Sequence, residues 1–196
     1  MFYRIIILSI CIAVSISNLL VMNSNFYQAN LLDDAKNNKF TFNDKAFNSK
    51  QNIYPSLANN SVPILTYISR YDTNRQDYEL AIAKLKLSLI QNPYSLYSIY
   101  LLARNYIFIN DFNSAENSLE DLFKLSPLIE SSSSLYFFIL GENKNKIKLQ
   151  SYRSKVLNIK NEQIWQFYLS ALSKNIQNNN DKEFYEFMID SFEKIF

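Results

Sequence analysis

Glu116 and Glu120 are the sequence's nearest approach to paired acid–base chemistry, because four residues along a helix return both carboxylates to one face. Such a pair transfers protons only in a cleft that raises one pKa. On an exposed helix face it is solvating charge, as are the acidic pairs within 183–193. A second constellation is cationic: Lys144, Lys146, Lys148, Arg153, Lys155 and Lys160 follow one another without an intervening acid. It reads either as a solvated face or as a surface for anionic lipid headgroups, an acidic glycan or an acidic protein. What is missing matters more. The 196 residues hold no histidine, so there is no imidazole base, no Ser-His or Cys-His nucleophile and no His-ligated metal. One glycine, Gly141, excludes a glycine-rich phosphate loop. No catalytic residue, cofactor or metal is expected. No nucleic-acid partner is expected for the cationic run in a domain placed outside the cytoplasm.

The elements that must carry these residues begin with residues 5–22, an apolar run without a charge, preceded by Arg4 and followed by no full charge until Asp33. Eighteen helical residues span roughly 27 Å, enough for a thin bilayer. An uncleaved signal-anchor is expected, because the run continues through Leu19, Leu20, Val21 and Met22. A cleaved signal peptide is the alternative, with small residues at Ala13-Val14-Ser15 and Ser15-Ile16-Ser17. A lipoprotein signal at Cys11 is opposed by the bulk of Ile10, and a buried first helix by the polar stretch behind it. Arg4 favours a cytoplasmic N-terminus, which sends the rest across the inner membrane to the extracytoplasmic side. Cys11 lies within the run, so the remainder of the chain can form no disulfide.

Residues 23–60 are rich in Asn, Lys, Asp and Ser and read as a polar tether, with one short helix near Tyr27–Lys36. Asn59-Asn60-Ser61 matches a glycosylation acceptor, which matters only in a eukaryotic secretory pathway. From Ser61-Val62-Pro63, a helix start signal, the pattern over 61–196 turns helical. Helices are expected over 62–73, 78–91, 95–109, 112–125, 131–141, 144–157, 161–177 and 181–195. Asn180 with Glu183 fits a capping box, and Gly141 an αL cap at the end of the fifth of these helices. Trp165, Phe167, Tyr168 and Leu172 have helical spacing and read as core. Acidic residues Asp181, Glu183, Glu186, Asp190 and Glu193 suit a polar terminal cap.

An internal period orders these helices. The prolines of Asn92-Pro93 and Ser126-Pro127 lie 34 residues apart, as do Ala81 and Ala115, Asp77-Tyr78 and Asp111-Phe112, and Leu85 and Leu119. With Ile99, Leu102, Ala103, Tyr106, Ala115, Leu119 and Pro127 in one unit, and Tyr71, Ala81, Leu85, Ser88 and Pro93 in the other, the sequence resembles the tetratricopeptide repeat. The resemblance is specific over 62–93 and 94–127. Beyond it, about 131–157 and 161–196 match only as helix pairs. It departs at Leu122, where a small residue is usual, and at Ala103 in place of glycine. It implies an all-α, tetratricopeptide-like α-solenoid of about four hairpins behind an N-terminal transmembrane or signal helix. It also implies a scaffold that holds a protein or peptide segment on a concave face. Projected onto this chain, that face is Leu65, Ser69, Tyr97, Tyr100, Arg104 and Phe108, an arginine among tyrosines suited to a peptide carboxylate. With the run NIYPSLANNSVPILTYISRY, then NPY, a helix pair and EQIWQFYLSAL, the chain over about 52–172 also resembles the extracytoplasmic tail of Bacteroidetes O-antigen ligase-related membrane proteins. That resemblance implies an accessory subunit or detached tail of surface-polysaccharide assembly.

Overall fold

The computed structural model describes residues 2–41, 56–58 and 60–196. Most of the expected tether's second half, and Asn59 of the glycosylation triplet, fall outside them. Among the described residues there are ten helices and no strand, with one isolated bridge between Leu57 and Pro63. The chain divides into two compact units, Met1–Leu101 and Leu102–Phe196.

The first unit is built from α1 (Phe2–Asn37), α2 (Ile64–Asn74), α3 (Tyr78–Gln91) and the opening residues of α4 (Leu96–Phe108). α1 differs most from the sequence expectation. Nothing in 23–37 breaks a helix, since neither proline nor glycine occurs there, and its polar residues leave an apolar stripe intact. The apolar run therefore continues without interruption into residues read as tether. Leu31 and Ala35 of α1 join Ala58, Ile64, Tyr67, Ile68 and Tyr71 in the unit's core. Polar ties fix the same joint. The Tyr71 hydroxyl donates to buried Asp34 at 2.8 Å, and Arg70 donates to the Ala35 carbonyl at 2.5 Å. Fully buried Asp72 is neutralised on both oxygens, by Arg75 at 2.6 Å and Lys84 at 2.7 Å.

The 34-residue period extends further than the side chains reveal. Gln76, Asn110 and Lys144, each 34 residues after the last, all adopt left-handed backbone, with φ of 65°, 60° and 52°. At each, the next amide donates back five residues at 2.9 Å: Asp77 to Asp72, Asp111 to Tyr106 and Asn145 to Leu140. Each such Schellman turn satisfies carbonyls that the helix end leaves orphaned. Four residues after each capping Asp or Asn stands a fully buried residue: Ala81, Ala115, Leu149. The third hairpin is thus in register, although its residues carry little of the sequence pattern.

The second unit takes the rest of α4, then α5 (Phe112–Leu125), α6 (Glu130–Glu142), α7 (Lys146–Ser151), α8 (Arg153–Leu157), α9 (Glu162–Ser173) and α10 (Asn179–Ile195). α6 packs on both α5 and α9, and α9 on α10. Its core is aromatic: Phe123, Tyr136, Phe137, Tyr152 and Tyr168 meet mostly edge to face at centroid separations of 5.0–6.0 Å. Buried polar tips find partners, Trp165 Nε1 donating to the Ile159 carbonyl at 2.8 Å and the Tyr168 hydroxyl to the Leu149 carbonyl at 2.8 Å.

Four local expectations are corrected here. The single helix expected over 144–157 is two short helices broken at Tyr152. Gly141 is not an αL cap but lies inside α6, and Lys144 takes the left-handed turn. The glycine serves a close approach instead, because a Cβ there would meet Ala171 Cα at 3.2 Å. The cap of α10 is Asn178, accepting from the Asp181 amide at 3.0 Å, rather than Asn180. Phe167 stays 36% exposed while Trp165, Tyr168 and Leu172 are buried, so it does not belong to the core.

Candidate functional site

On α4, Tyr97, Tyr100, Arg104 and Phe108 succeed one another at intervals of three, four and four residues, which places them along one face of the helix. Tyr97 and Tyr100 are half-buried; Arg104 and Phe108 are exposed, the guanidinium 5.8 Å from the Phe108 ring centroid. Tyr97 also packs against Tyr67 at 6.0 Å. The two α2 positions behave differently. Leu65 is half-buried against the first unit's core. Ser69 is fully buried and its hydroxyl donates to the Thr66 carbonyl at 2.7 Å, so it is not presented to a ligand.

Two hollows accompany these faces. In the first unit a cleft of ≈ 340 Å³ is lined by Leu32, Lys36, Asn60, Val62, Arg70 and Tyr97, among others. In the second, a polar hollow of ≈ 520 Å³ is lined by Glu130, Asn161, Glu162, Gln163, Gln166 and Phe167. Neither was anticipated from the sequence, because each joins residues more than thirty positions apart.

The cationic run does not form the uniform face expected of it. Lys146 is ion-paired with Asp181, which is buried in the cap of α10. Lys148 reaches Glu116 at 2.7 Å and Glu120 at 2.5 Å. Arg153 stacks over Phe187 at 4.2 Å, and Lys155 lies 5.5 Å from the Phe123 centroid. Lys144 sits exposed in its left-handed turn. The acids that pair with Lys146 and Lys148 come from α10 and α5, not from within the run.

Glu116 is likewise not solvating charge. It is only 6% exposed and accepts from Asn143 at 2.6 Å, Asn145 at 2.8 Å and Lys148 at 2.7 Å. Hydrogen bonds from Lys124 and Lys148 hold the Glu120 carboxyl below its ordinary value, against the opposing effect of burial. Burial pulls the Lys148 ammonium down, but hydrogen bonds to Glu116 and Glu120 outweigh it and leave the pKa raised. Such a node holds the third turn against α5. The lowered pKa of Glu120 is the opposite of the raised one that a carboxyl acting as general acid needs. Burial raises the Tyr136 and Tyr168 hydroxyls, which keeps both as neutral donors. Among the described residues no three His, Cys, Asp or Glu side chains gather to hold a metal ion.

One surface escaped the sequence reading although its signal was present. Leu80, Ala83, Leu87, Ile90 and Tyr94 recur at three- and four-residue steps on and just beyond α3, and all are exposed, Ile90 to 78% and Tyr94 to 76%. An apolar stripe of that spacing is the pattern of a helix–helix seam.

No family model matches the chain, and no curated protein matches it by sequence. Its fold is similar to that of the crystal structure of MamA protein, with a TM-score of 0.61 and 15% identity over 88% of this chain and 90% of that one. The all-α, tetratricopeptide-like architecture stands on that likeness and on the helices themselves. The proposed kinship with O-antigen ligase tails gains nothing from these matches.

Proposed function

We propose that this chain is a non-catalytic scaffold, held in a membrane through residues 5–22, whose helical part from 61 to 196 binds a protein segment on the extracytoplasmic side. The observation that carries the tether is α1: its most apolar window has a mean hydropathy of 2.6, and none of that window is buried against the rest of the chain. Leaving so much apolar surface in water would cost on the order of 25 cal/mol per Å², which a lipid core removes. The repeat-like fold supports the scaffold reading, and the α4 face supplies the recognition chemistry. By residue type, the α4 positions offer an arginine suited to bidentate recognition of a carboxylate and the rings of Tyr97, Tyr100 and Phe108 suited to stacking. Within the lysine run, Lys146 and Lys148 are ion-paired to acids of the same chain.

Crosslinking in the native membrane followed by mass spectrometry tests the scaffold. A specific partner should be captured by the wild type and lost with Arg104→Ala plus Tyr100→Ala; capture unchanged by both substitutions rejects the α4 face. Reporter fusion after Ser61 tests the topology, and activity only from a cytoplasmic reporter rejects the orientation.

A further inference from the structure

The sequence reads as a membrane segment followed by a polar tether with one short helix near Tyr27–Lys36, but α1 runs unbroken from Phe2 to Asn37. The apolar run ends at Met22. Five residues later Tyr27 is already packed against the first unit's core, and Leu31, Leu32 and Ala35 follow on the same side. At 1.5 Å per residue, Tyr27 lies only about 8 Å beyond Met22 along the helix axis. The headgroup layer on each side of a bilayer is roughly 5–8 Å deep, the difference between its total and hydrocarbon thickness shared over two faces. No length of chain is left over for a hinge. Phe26 is 62% exposed and stands edge-on to Tyr27 at 5.9 Å, an aromatic pair at the depth where such rings favour the membrane–water boundary. The joint to the unit is firm further along: Asp34 and Ala35 are tied to Tyr71 and Arg70, and Arg70 also donates to Asn38 and lies 5.1 Å over the Phe40 ring.

From this continuity we infer that α1 is both membrane helix and structural helix of the first unit. The unit is held flush against the lipid headgroup layer, with Phe26 and Tyr27 in that layer, instead of hanging from a tether. The inference rests on the membrane reading proposed above. It implies that what the first unit binds must itself lie at the membrane surface.

The test uses the full chain in lipid nanodiscs, with Cys11→Ser removing its one thiol so that single labels can be placed at exposed positions. Fluorophores go on Ile16→Cys, Asn25→Cys and Lys36→Cys, read against lipids carrying a nitroxide on the acyl chain or on the headgroup. The expected result is loss of emission at 16 with the acyl nitroxide, at 25 with the headgroup nitroxide, and at 36 with neither. Lys36 stands about 21 Å beyond Met22. Hydrogen exchange on the unmodified chain should show protected amides through 23–37. If position 16 is not quenched, the membrane reading itself fails. If 16 is quenched but 25 is not quenched from the headgroup, or if amides 23–30 exchange at unprotected rates, the flush attachment is wrong while the membrane reading survives.

Discussion

Replacing Glu116 by alanine tests whether the buried carboxylate is a structural node. Three donors converge on it at 2.6–2.8 Å, from Asn143, Asn145 and Lys148. A hydrogen bond to a charged group contributes about 1.5–3 kcal/mol, and breaking a well-buried ion pair costs about 3–5 kcal/mol. Two features reduce the loss here. Lys148 is 30% exposed and keeps Glu120, and both asparagines are only half-buried, so water recovers part of what they lose. The expected cost of Glu116→Ala is therefore about 2–3 kcal/mol, and that of Glu116→Gln, which keeps one acceptor, about 1–2 kcal/mol. Trp165 is the sole tryptophan, lies fully buried in the same unit, and reports that unit's unfolding by its fluorescence. With a urea dependence of about 2–3 kcal/mol per molar, the alanine substitution should lower the midpoint by roughly 1 M. A double-mutant cycle with Asn143→Ala should show a coupling of at least ~0.5 kcal/mol. A midpoint unchanged by Glu116→Ala, or strictly additive effects in the cycle, would refute the node. As a control, Lys174 and Glu142 form an ion pair with both side chains well exposed, and Lys174→Ala should cost less than about 0.5 kcal/mol and vary with salt.

Further predictions follow from the same geometry. Glu120 has a folded pKa below its ordinary 4.5, so its contribution is complete above that value and is lost as pH falls through the folded pKa. The second unit should lose stability below about pH 4.5, less so with Glu120→Gln, when Trp165 emission is followed at fixed urea. Lys148, raised from 10.5, works in the opposite sense: its contribution holds below 10.5 and disappears as pH rises through the folded pKa, a loss that Lys148→Met should abolish. Gly141→Ala should stay within about 1 kcal/mol of wild type, because a gain of about 1 kcal/mol in helix propensity offsets crowding against Ala171. Gly141→Val should cost about 1–3 kcal/mol, and thermal melts separate the two. Tyr71→Phe removes the donor to buried Asp34 and should destabilise the first unit by about 1–3 kcal/mol, read as faster hydrogen exchange in 31–37.

Most of the helices were legible because they are made locally. Each helix depends on bonds between residues four apart, and α3 and α5 run from Tyr78 and Phe112 as the turn residues announced. The 34-residue period was readable over two hairpins, where alanine, leucine and proline repeat it. It was not readable in the third, where the left-handed turn falls on lysine and the buried position is Leu149 rather than alanine. Backbone geometry preserved a register that side-chain identity had lost.

The candidate site divides along the same line. Tyr97, Tyr100, Arg104 and Phe108 share a face by arithmetic alone, and sequence spacing determines that. Spacing could not determine that Ser69 is sealed inside, that Glu116 is buried, or that Lys146 and Lys148 find their acids on α10 and α5. The pairs that bind Lys148 to Glu116 and Lys146 to Asp181 span about thirty residues. Which side chain faces which across a helix hairpin depends on how the helices pack, and many partners satisfy the same composition. The apolar run of α1 was plain from its residues. Only the packing of Leu31 and Ala35 on α2 shows that the same helix, continued, is part of the folded unit it carries.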